Sequence, residues 1–314
     1  QGRASGHAYA RQSTPTTDSL QSLISEAEQG IATLVFATGM AAISGTLLAL
    51  LQRGDHLIAS RFLFGNTHSL LSTLANFGIE VTLVDATDCA HVRAAQQGNT
   101  RLVFVETIAN PGTQIASLDE IGQWCAQQNV LFMVDNTITS PYLFNPKSVQ
   151  AGLVINSLSK YFGGHGTVLG GAITDTGLFD WSHYPNIFPA YQQGDAHKWG
   201  LTQIKKKALR DMGGTLSSDG AYQLAVGAET IALRMDRQCA NAAALAALLA
   251  QHDKVEAVYY PGLASHPQHD RARRWFRSFG AILSFDLKAP YDCAALLDDM
   301  ALVINATHLG DNRT

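Results

Sequence analysis

The chain has 314 residues, enough for one large or two ordinary domains around a sizeable core. Apolar residues make up 46% and charged residues 15%, which excludes a disordered or fibrous chain, and a net charge of −4 supplies no basic field for non-specific nucleic-acid binding. Four scattered cysteines (Cys89, Cys125, Cys239 and Cys293) contain no CxxC pair and read as free thiols of a reducing, cytoplasmic compartment.

The first residue is Gln1, no basic-then-apolar leader pattern follows it, and the last residues come just after a strand-like apolar run, Ala301 to Ile304. Both ends therefore read as cuts through a domain. An uncharged stretch from Gln29 to Gln52 has the length of a bilayer span. Thr33, Thr38, Gly39, Ser44, Gly45 and Thr46 interrupt it, so it reads as a short strand turning into a helix, and no membrane segment is expected.

In chain order, Thr14 is an N-cap candidate with Pro15 in the first turn of a helix, and Leu20, Leu23, Ile24 and Ala27 follow at helical spacing until Gly30 stops it. A helix is expected from Gly39 to Leu51. An alternation follows: strand His56 to Ala59, helix Ser69 to Phe77, strand Val81 to Val84, helix Cys89 to Gln97, strand Leu102 to Val105, helix Leu118 to Gln128 and strand Val130 to Val134. Val154-Ile155 and Gly170 to Ile173 add two more strand candidates. Short apolar runs alternating with helices predict an α/β fold with a parallel sheet buried on both faces, whose chemistry sits at the carboxyl ends of the strands.

Beyond about residue 215 the texture changes. Leu224 to Ala250 reads as one long helix or two, Val255 to Tyr260 and Ala281 to Leu287 as strands with helix between them, and Ala294 to Met300 as a last helix. The expected organisation is an N-terminal segment (1–30), a large domain (31–214) and a smaller, truncated α+β domain (215–314). The aromatic-rich stretch from Leu178 to Gly214 connects the last two.

Three strand ends stand out. Val134 runs into Asp135-Asn136-Thr137; Val154-Ile155 leads to Asn156-Ser157-Leu158-Ser159-Lys160 and then to glycines; Phe36-Ala37-Thr38-Gly39-Met40 opens a helix. Each has an ordinary reading, since an Asp after a buried strand is commonly a turn residue and a Lys there is commonly on the surface. Taken together they meet the needs of a pyridoxal phosphate site. Lys160, partly desolvated, would be a nucleophile for the cofactor's aldehyde. Asp135 would keep the pyridine nitrogen protonated, and the helix N-terminus at Gly39 would take the phosphate.

With these residues, the chain resembles the cystathionine γ-synthase family of pyridoxal phosphate enzymes of cysteine and methionine metabolism. The likeness extends from Tyr9-Ala10-Arg11 through Thr38-Gly39-Met40, Glu106 to Pro111, Val134 to Thr137, Ser157 to Lys160, Glu229 to Arg237 and Tyr260 to Pro267. It implies pyridoxal phosphate fold type I, the aspartate-aminotransferase-like architecture, with a mostly parallel sheet in the large domain. Lys160 would be the Schiff-base lysine and proton shuttle, and Asp135 the partner of the pyridine nitrogen. The Gly39 and Met40 amides, with the Ser157 and Ser159 hydroxyls, would hold the phosphate. Asn110 would lie near the cofactor's 3′-oxygen, Thr137 near its ring, and Phe64 would stack on the ring. Tyr9 and Arg11 would reach the neighbouring subunit's phosphate, making the protein at least a homodimer and in the family's habit a homotetramer, with an amino-acid substrate.

Two departures bear on the reaction. Where the family usually has Leu-Tyr-Gly-x-Thr, Leu63-Phe64-Gly65-Asn66-Thr67 lacks the tyrosine hydroxyl; where it often reads Ser-Leu-Gly-Gly, this chain has His308-Leu309-Gly310-Asp311. The arginine that clamps the substrate carboxylate is expected beyond Thr314. Phe64 favours γ-replacement on an O-acetyl- or O-succinyl-homoserine by sulfide or cysteine, because an acyloxy group leaves without the proton a thiolate wants. A γ-lyase is the alternative, and a non-catalytic cofactor-binding relative is the alternative of another class. The His266-x-x-His269 pair is expected in a surface turn without a metal, and Lys205-Lys206-Lys207 on a wet helix face. Trp181, Tyr184, Phe188, Tyr191 and Trp199 read as packing rather than a mobile cover.

Overall fold

The computed structural model describes residues 6–313. Helix α1 (Pro15–Ala27) begins in a reciprocal cap, the Thr14 hydroxyl accepting from the Thr17 N–H at 3.2 Å and Thr17 Oγ1 from the Thr14 N–H at 2.9 Å. Strand β1 (Ala32–Phe36) turns into α2 (Gly39–Leu50), capped by Thr38, whose hydroxyl accepts from the Ala41 N–H at 2.9 Å. The expected alternation follows as β2 (His56–Ser60), α3 (Gly65–Leu74), β3 (Glu80–Val84), α4 (Cys89–Ala94), β4 (Thr100–Glu106), α5 (Leu118–Gln128) and β5 (Leu131–Asp135). A short α6 (Ser140–Leu143), β6 (Leu153–Asn156) and β7 (Gly171–Asp175) complete it.

These seven strands form one sheet in the order β1-β7-β6-β5-β4-β2-β3. Alternate strand residues feed two cores. Leu102, Phe104, Leu131, Met133 and Ile155 pack on one face, and Val103, Val105, Phe132, Val134 and Val154 on the other. Sheet faces covered on both sides account for strands that are apolar at every position. The sheet is mostly parallel, as expected, and β7 is the exception, running antiparallel to both β6 and β1. The connection from β6 to β7, residues 157–170, forms turns but no helix that could carry the chain back over the sheet, so the strand returns in the opposite direction. Because β7 sits between them, β1 and β6 still point the same way, and the carboxyl ends of β1, β6, β5 and β4 share one edge.

After β7 come α7 (Trp199–Ile204), a π-helical turn over Lys205–Asp211, α8 (Ser218–Ala228) and α9 (Ile231–Leu249). The long Ala/Leu-rich stretch is thus two helices. Strand β8 (Val255–Tyr259), α10 (His269–Trp275), β9 (Ser284–Leu287) and α11 (Cys293–Asp299) follow, β8 and β9 pairing antiparallel as a separate two-stranded sheet.

Three local expectations change. Ala301 to Ile304 is no strand: it pairs with nothing among the described residues, and Leu302, Val303 and Ile304 are exposed. The lysine triple lies on the half-buried π-turn, where Lys207 meets Asp211 at 3.3 Å and the Phe188 ring at 4.8 Å. His266 is buried rather than in a surface turn, its Nε2 3.2 Å from Thr113 Oγ1, while His269 stacks on Phe279, and no cluster suited to a metal occurs among the described residues. Trp181 and Tyr184 are packing residues, as expected. Trp181 Nε1 donates to Asp175 at 2.9 Å and the Tyr184 hydroxyl to the Leu50 carbonyl at 3.0 Å. Among the described residues no helix is long and apolar enough to cross a membrane.

Candidate active site

The shared sheet edge holds a cleft lined by Gly39, Met40, Phe64, Asn110, Asp135, Thr137, Ser157 and Lys160, with Glu106, Thr307 and Leu309 completing its wall. Eight of the residues singled out in the sequence therefore meet, from the ends of five strands (β1, β2, β4, β5 and β6) and the loops after them. Thr137 ties two of those ends together, its hydroxyl accepting the Ser157 N–H at 2.7 Å.

Asp135 ends β5 and faces the cleft floor, with Oδ1 accepting the Thr137 N–H at 2.9 Å. Burial pushes its carboxyl up to about 6, against the pull of the Thr137 hydrogen bonds. In the adjacent strand Glu106 stands in register with it, and burial together with the Asp135 charge holds Glu106 well above the usual carboxylate range. Glu106 Oε1 accepts the Phe64 N–H at 2.7 Å, which fixes the backbone of the ring that faces the cleft.

Lys160 follows β6 in a tight turn, its N–H donating to the Ser157 carbonyl at 3.2 Å. It is half-buried, and that burial lowers its ammonium pKa, opposed by the nearby Asp311 charge. The Nζ lies 3.3 Å from His308 Nδ1. Gly310 makes this approach possible: it has φ +86°, and a Cβ there would come 2.7 Å from the Tyr161 backbone nitrogen.

The residues present fit pyridoxal phosphate. At the start of α2 the Gly39 and Met40 amides belong to the first turn, which has no intrahelical acceptors for its N–H groups and carries the positive end of the helix dipole. A Cβ on Gly39 would sit 2.8 Å from Ser157 Cβ, so only glycine leaves this cradle open. A cationic lysine, a buried carboxylate and this anion cradle form the matching donor set.

Three expected site residues lie elsewhere. The Ser159 hydroxyl is buried and engaged with Gly170, donating to its carbonyl at 3.2 Å and accepting its N–H at 3.0 Å. The Arg11 guanidinium lies 5.0 Å over the Tyr9 ring and donates to the Arg210 carbonyl, so neither Tyr9 nor Arg11 lines this chain's own cleft. Sequence reading passed over Glu106, although it closes an apolar strand as Asp135 does. It also passed over Glu28, which α1 buries behind the cleft, where its Oε1 accepts from Asn136 at 2.9 Å and Asn156 at 2.6 Å. Only the oddity of a carboxylate directly after an amphipathic helix could have flagged Glu28.

A mostly parallel sheet whose strand ends gather a lysine, a buried carboxylate and an open helix N-terminus defines a pyridoxal phosphate enzyme of fold type I. The chain belongs to the family of Cys/Met metabolism PLP-dependent enzymes, whose profile matches residues 1–314. It is 37% identical to an L-methionine gamma-lyase of Fusobacterium nucleatum over 98% of this chain and 74% of that protein. To an O-acetyl-L-homoserine sulfhydrylase of Leptospira meyeri it is 33% identical, over 98% and 75%. Among solved structures, a Campylobacter jejuni protein assigned as an O-acetylhomoserine (thiol)-lyase, holding N′-pyridoxyl-lysine-5′-monophosphate, superposes with a TM-score of 0.91 at 31% identity, over 98% of this chain and 80% of that one. Cystathionine gamma synthase of Xanthomonas oryzae pv. oryzae, in complex with cystathionine, gives 0.89 at 31%, over 100% and 76%. The chain is thus a PLP-dependent lyase or transferase of sulfur amino-acid metabolism, and the non-catalytic alternative falls away.

Proposed function

We propose that this enzyme carries out γ-replacement, exchanging the acyloxy group of an O-acetyl- or O-succinyl-homoserine for sulfide or cysteine. The observation that carries this reading is Phe64: it lines the cleft with its backbone pinned to Glu106, and it brings no hydroxyl to protonate a departing thiolate. Pyridoxal phosphate, when bound, supplies an electron sink for the substrate's α-carbon. Lys160 would hold the cofactor covalently and move protons at Nζ, Asp135 would hold the proton of the ring nitrogen, and Phe64 would cover the ring. The Gly39 and Met40 amides and Ser157 would bind phosphate, with Asn110 beside the 3′-oxygen and Thr137 beside the ring. Ser159, whose hydroxyl is bonded to Gly170, would steady the phosphate loop beside Ser157.

Tyr9 and Arg11, placed away from this chain's own cleft, would complete a neighbour's phosphate site in a homodimer or homotetramer. Four free cysteines suit a cytoplasmic enzyme. The two separate sheets suit a large domain over 31–214 and a small one from 215 onward. A γ-lyase is the second reading, supported by the 37% identity to a methionine gamma-lyase.

The deciding assay gives purified holoenzyme O-acetyl- or O-succinyl-homoserine with sulfide or cysteine, and separately methionine or cystathionine alone. Thioether or thiol product from the esters is expected. Rapid oxo-acid release from the second pair, with no replacement product from the first, would establish the lyase instead.

A further inference from the structure

His308 borders the cleft through its contact with Lys160, and the reaction above leaves it without work. Its Nδ1 faces Lys160 Nζ at 3.3 Å, and its Nε2 lies 3.5 Å from Asp311 Oδ2. Asp311 is itself held: Oδ1 accepts the Arg313 N–H at 2.9 Å, Oδ2 the Arg313 Nη2 at 3.0 Å, and its carbonyl the Gln238 amide at 2.8 Å. An imidazole between an amine and a fixed carboxylate has one neutral arrangement that satisfies both neighbours. Nε2–H points to Asp311, and the Nδ1 lone pair points to Lys160.

We propose that His308 is a catalytic residue of this enzyme, the general base that takes the ammonium proton from Lys160. In that step one N–H bond breaks at Nζ and one forms at Nδ1, the positive charge moves to an imidazolium facing Asp311, and Lys160 keeps a free electron pair for bond formation. The reverse transfer reloads Lys160 as an acid. The surroundings keep the ring in its neutral form. Burial lowers the His308 pKa, the Lys160 and Arg313 charges lower it further, and Asp311 opposes them, so the ring is neutral and ready to accept at neutral pH. Asp311 is charged, since the Arg313 backbone and guanidinium outweigh the upward push of burial. His308 also lines a second, open cavity with Gly166, Val168, Ile304, Asp311 and Arg313. A proton on its ring can therefore exchange with water without crossing the cofactor cleft.

The inference rests on Lys160 as the lysine that holds the cofactor, and does not depend on replacement or elimination. The test reads covalent capture rather than turnover. Full-length protein freed of cofactor is mixed with pyridoxal phosphate across a pH series, and attachment is followed by visible absorbance and by the mass of the borohydride-reduced Lys160 peptide. The wild-type capture rate is expected to fall on the acid side as His308 protonates. His308→Ala should lose that limb and slow by about 10²-fold, and added imidazole should restore much of the rate. A folded His308→Ala that captures at the wild-type rate, or whose slow rate imidazole leaves unmoved, overturns the proposal. Asp311→Asn leaves the histidine in place and serves if His308→Ala does not fold. Removing the carboxylate should move the acid limb to lower pH, and an unmoved limb refutes the arrangement. Lys160→Ala separates the two ideas, because label found on another lysine would sink the Lys160 assignment itself.

Discussion

Glu28 is completely buried at the end of α1, and its environment makes its charge expensive. Two asparagine amides share Oε1, while Oε2 has no partner among the described residues. Burial pushes the carboxyl up to about 7 from an ordinary 4.5, the Asn136 and Asn156 bonds only partly compensating. Because the folded pKa is the higher one, the native state binds this proton more tightly than the unfolded chain, and stability declines as pH rises between the two values. At ~1.36 kcal/mol per unit that window amounts to about 3 kcal/mol, and no solvent screening discounts it at a fully buried site. Glu28→Gln keeps the acceptor for both asparagines, keeps the other end unpartnered, and removes the ionisation. In cofactor-saturated protein, urea unfolding of variant and wild type should therefore diverge with pH. The variant should gain about 3 kcal/mol relative to wild type between about pH 4.5 and about pH 7.5, while the other raised carboxyls cancel in the difference. A difference that stays constant across the range would mean that Glu28 is charged and solvated in the native protein, and would refute the reasoning.

Gly39→Ala, with its new methyl driven against Ser157, should cost about 1–3 kcal/mol in thermal unfolding and weaken pyridoxal phosphate binding in an absorbance titration. Asp135→Asn should weaken cofactor binding by about 2 kcal/mol or more in the same titration, because a buried partner of a cationic nitrogen is lost. Without cofactor, that variant should unfold at no lower urea concentration than wild type at neutral pH, since the Glu106 repulsion is relieved. Phe64→Tyr restores a hydroxyl at the cleft and should raise oxo-acid release from cystathionine relative to replacement by about tenfold or more, measured as a product ratio.

Most of the layered fold could be read from the chain because strands buried on both faces leave uninterrupted apolar runs, and Thr14 and Thr38 mark the helix starts chemically. The direction of β7 was not legible. Gly171 to Asp175 looks the same whether paired parallel or antiparallel, and what decides is the lack of a crossover helix in residues 157–170. The run Ala301 to Ile304 misled because composition records β propensity but not the presence of a neighbouring strand to pair with. In the site, Lys160 and Asp135 were legible as charges placed at the ends of buried strands. The bond between Ser159 and Gly170 was not legible, because Gly170 is eleven residues away and reached only through the antiparallel return. Glu28 was hidden for the same kind of reason: its partners, Asn136 and Asn156, are more than a hundred residues distant.

The neighbouring carboxylates show why these placements belong to one design. Register pairing of β4 with β5 brings Glu106 opposite Asp135, and burial raises both, so without cofactor the cleft floor holds two acids that resist ionising together. The sheet could have avoided this by ending β4 on a neutral residue. Glu106 instead anchors Phe64 through the backbone, beneath the place where a protonated ring nitrogen would sit. Burying the two acids side by side costs stability at the cleft floor, and a bound cation would relieve that cost. Behind the floor, Glu28 gathers Asn136 and Asn156, the residues that directly follow Asp135 and precede Ser157, and so holds the carboxylate end and the phosphate end of the cleft at a fixed separation. Three carboxyls at or behind one sheet edge are thus all raised by burial, two of them side by side where a cationic ring nitrogen would relieve their repulsion, while the anionic phosphate would be met at the other end of the cleft by the α2 amides.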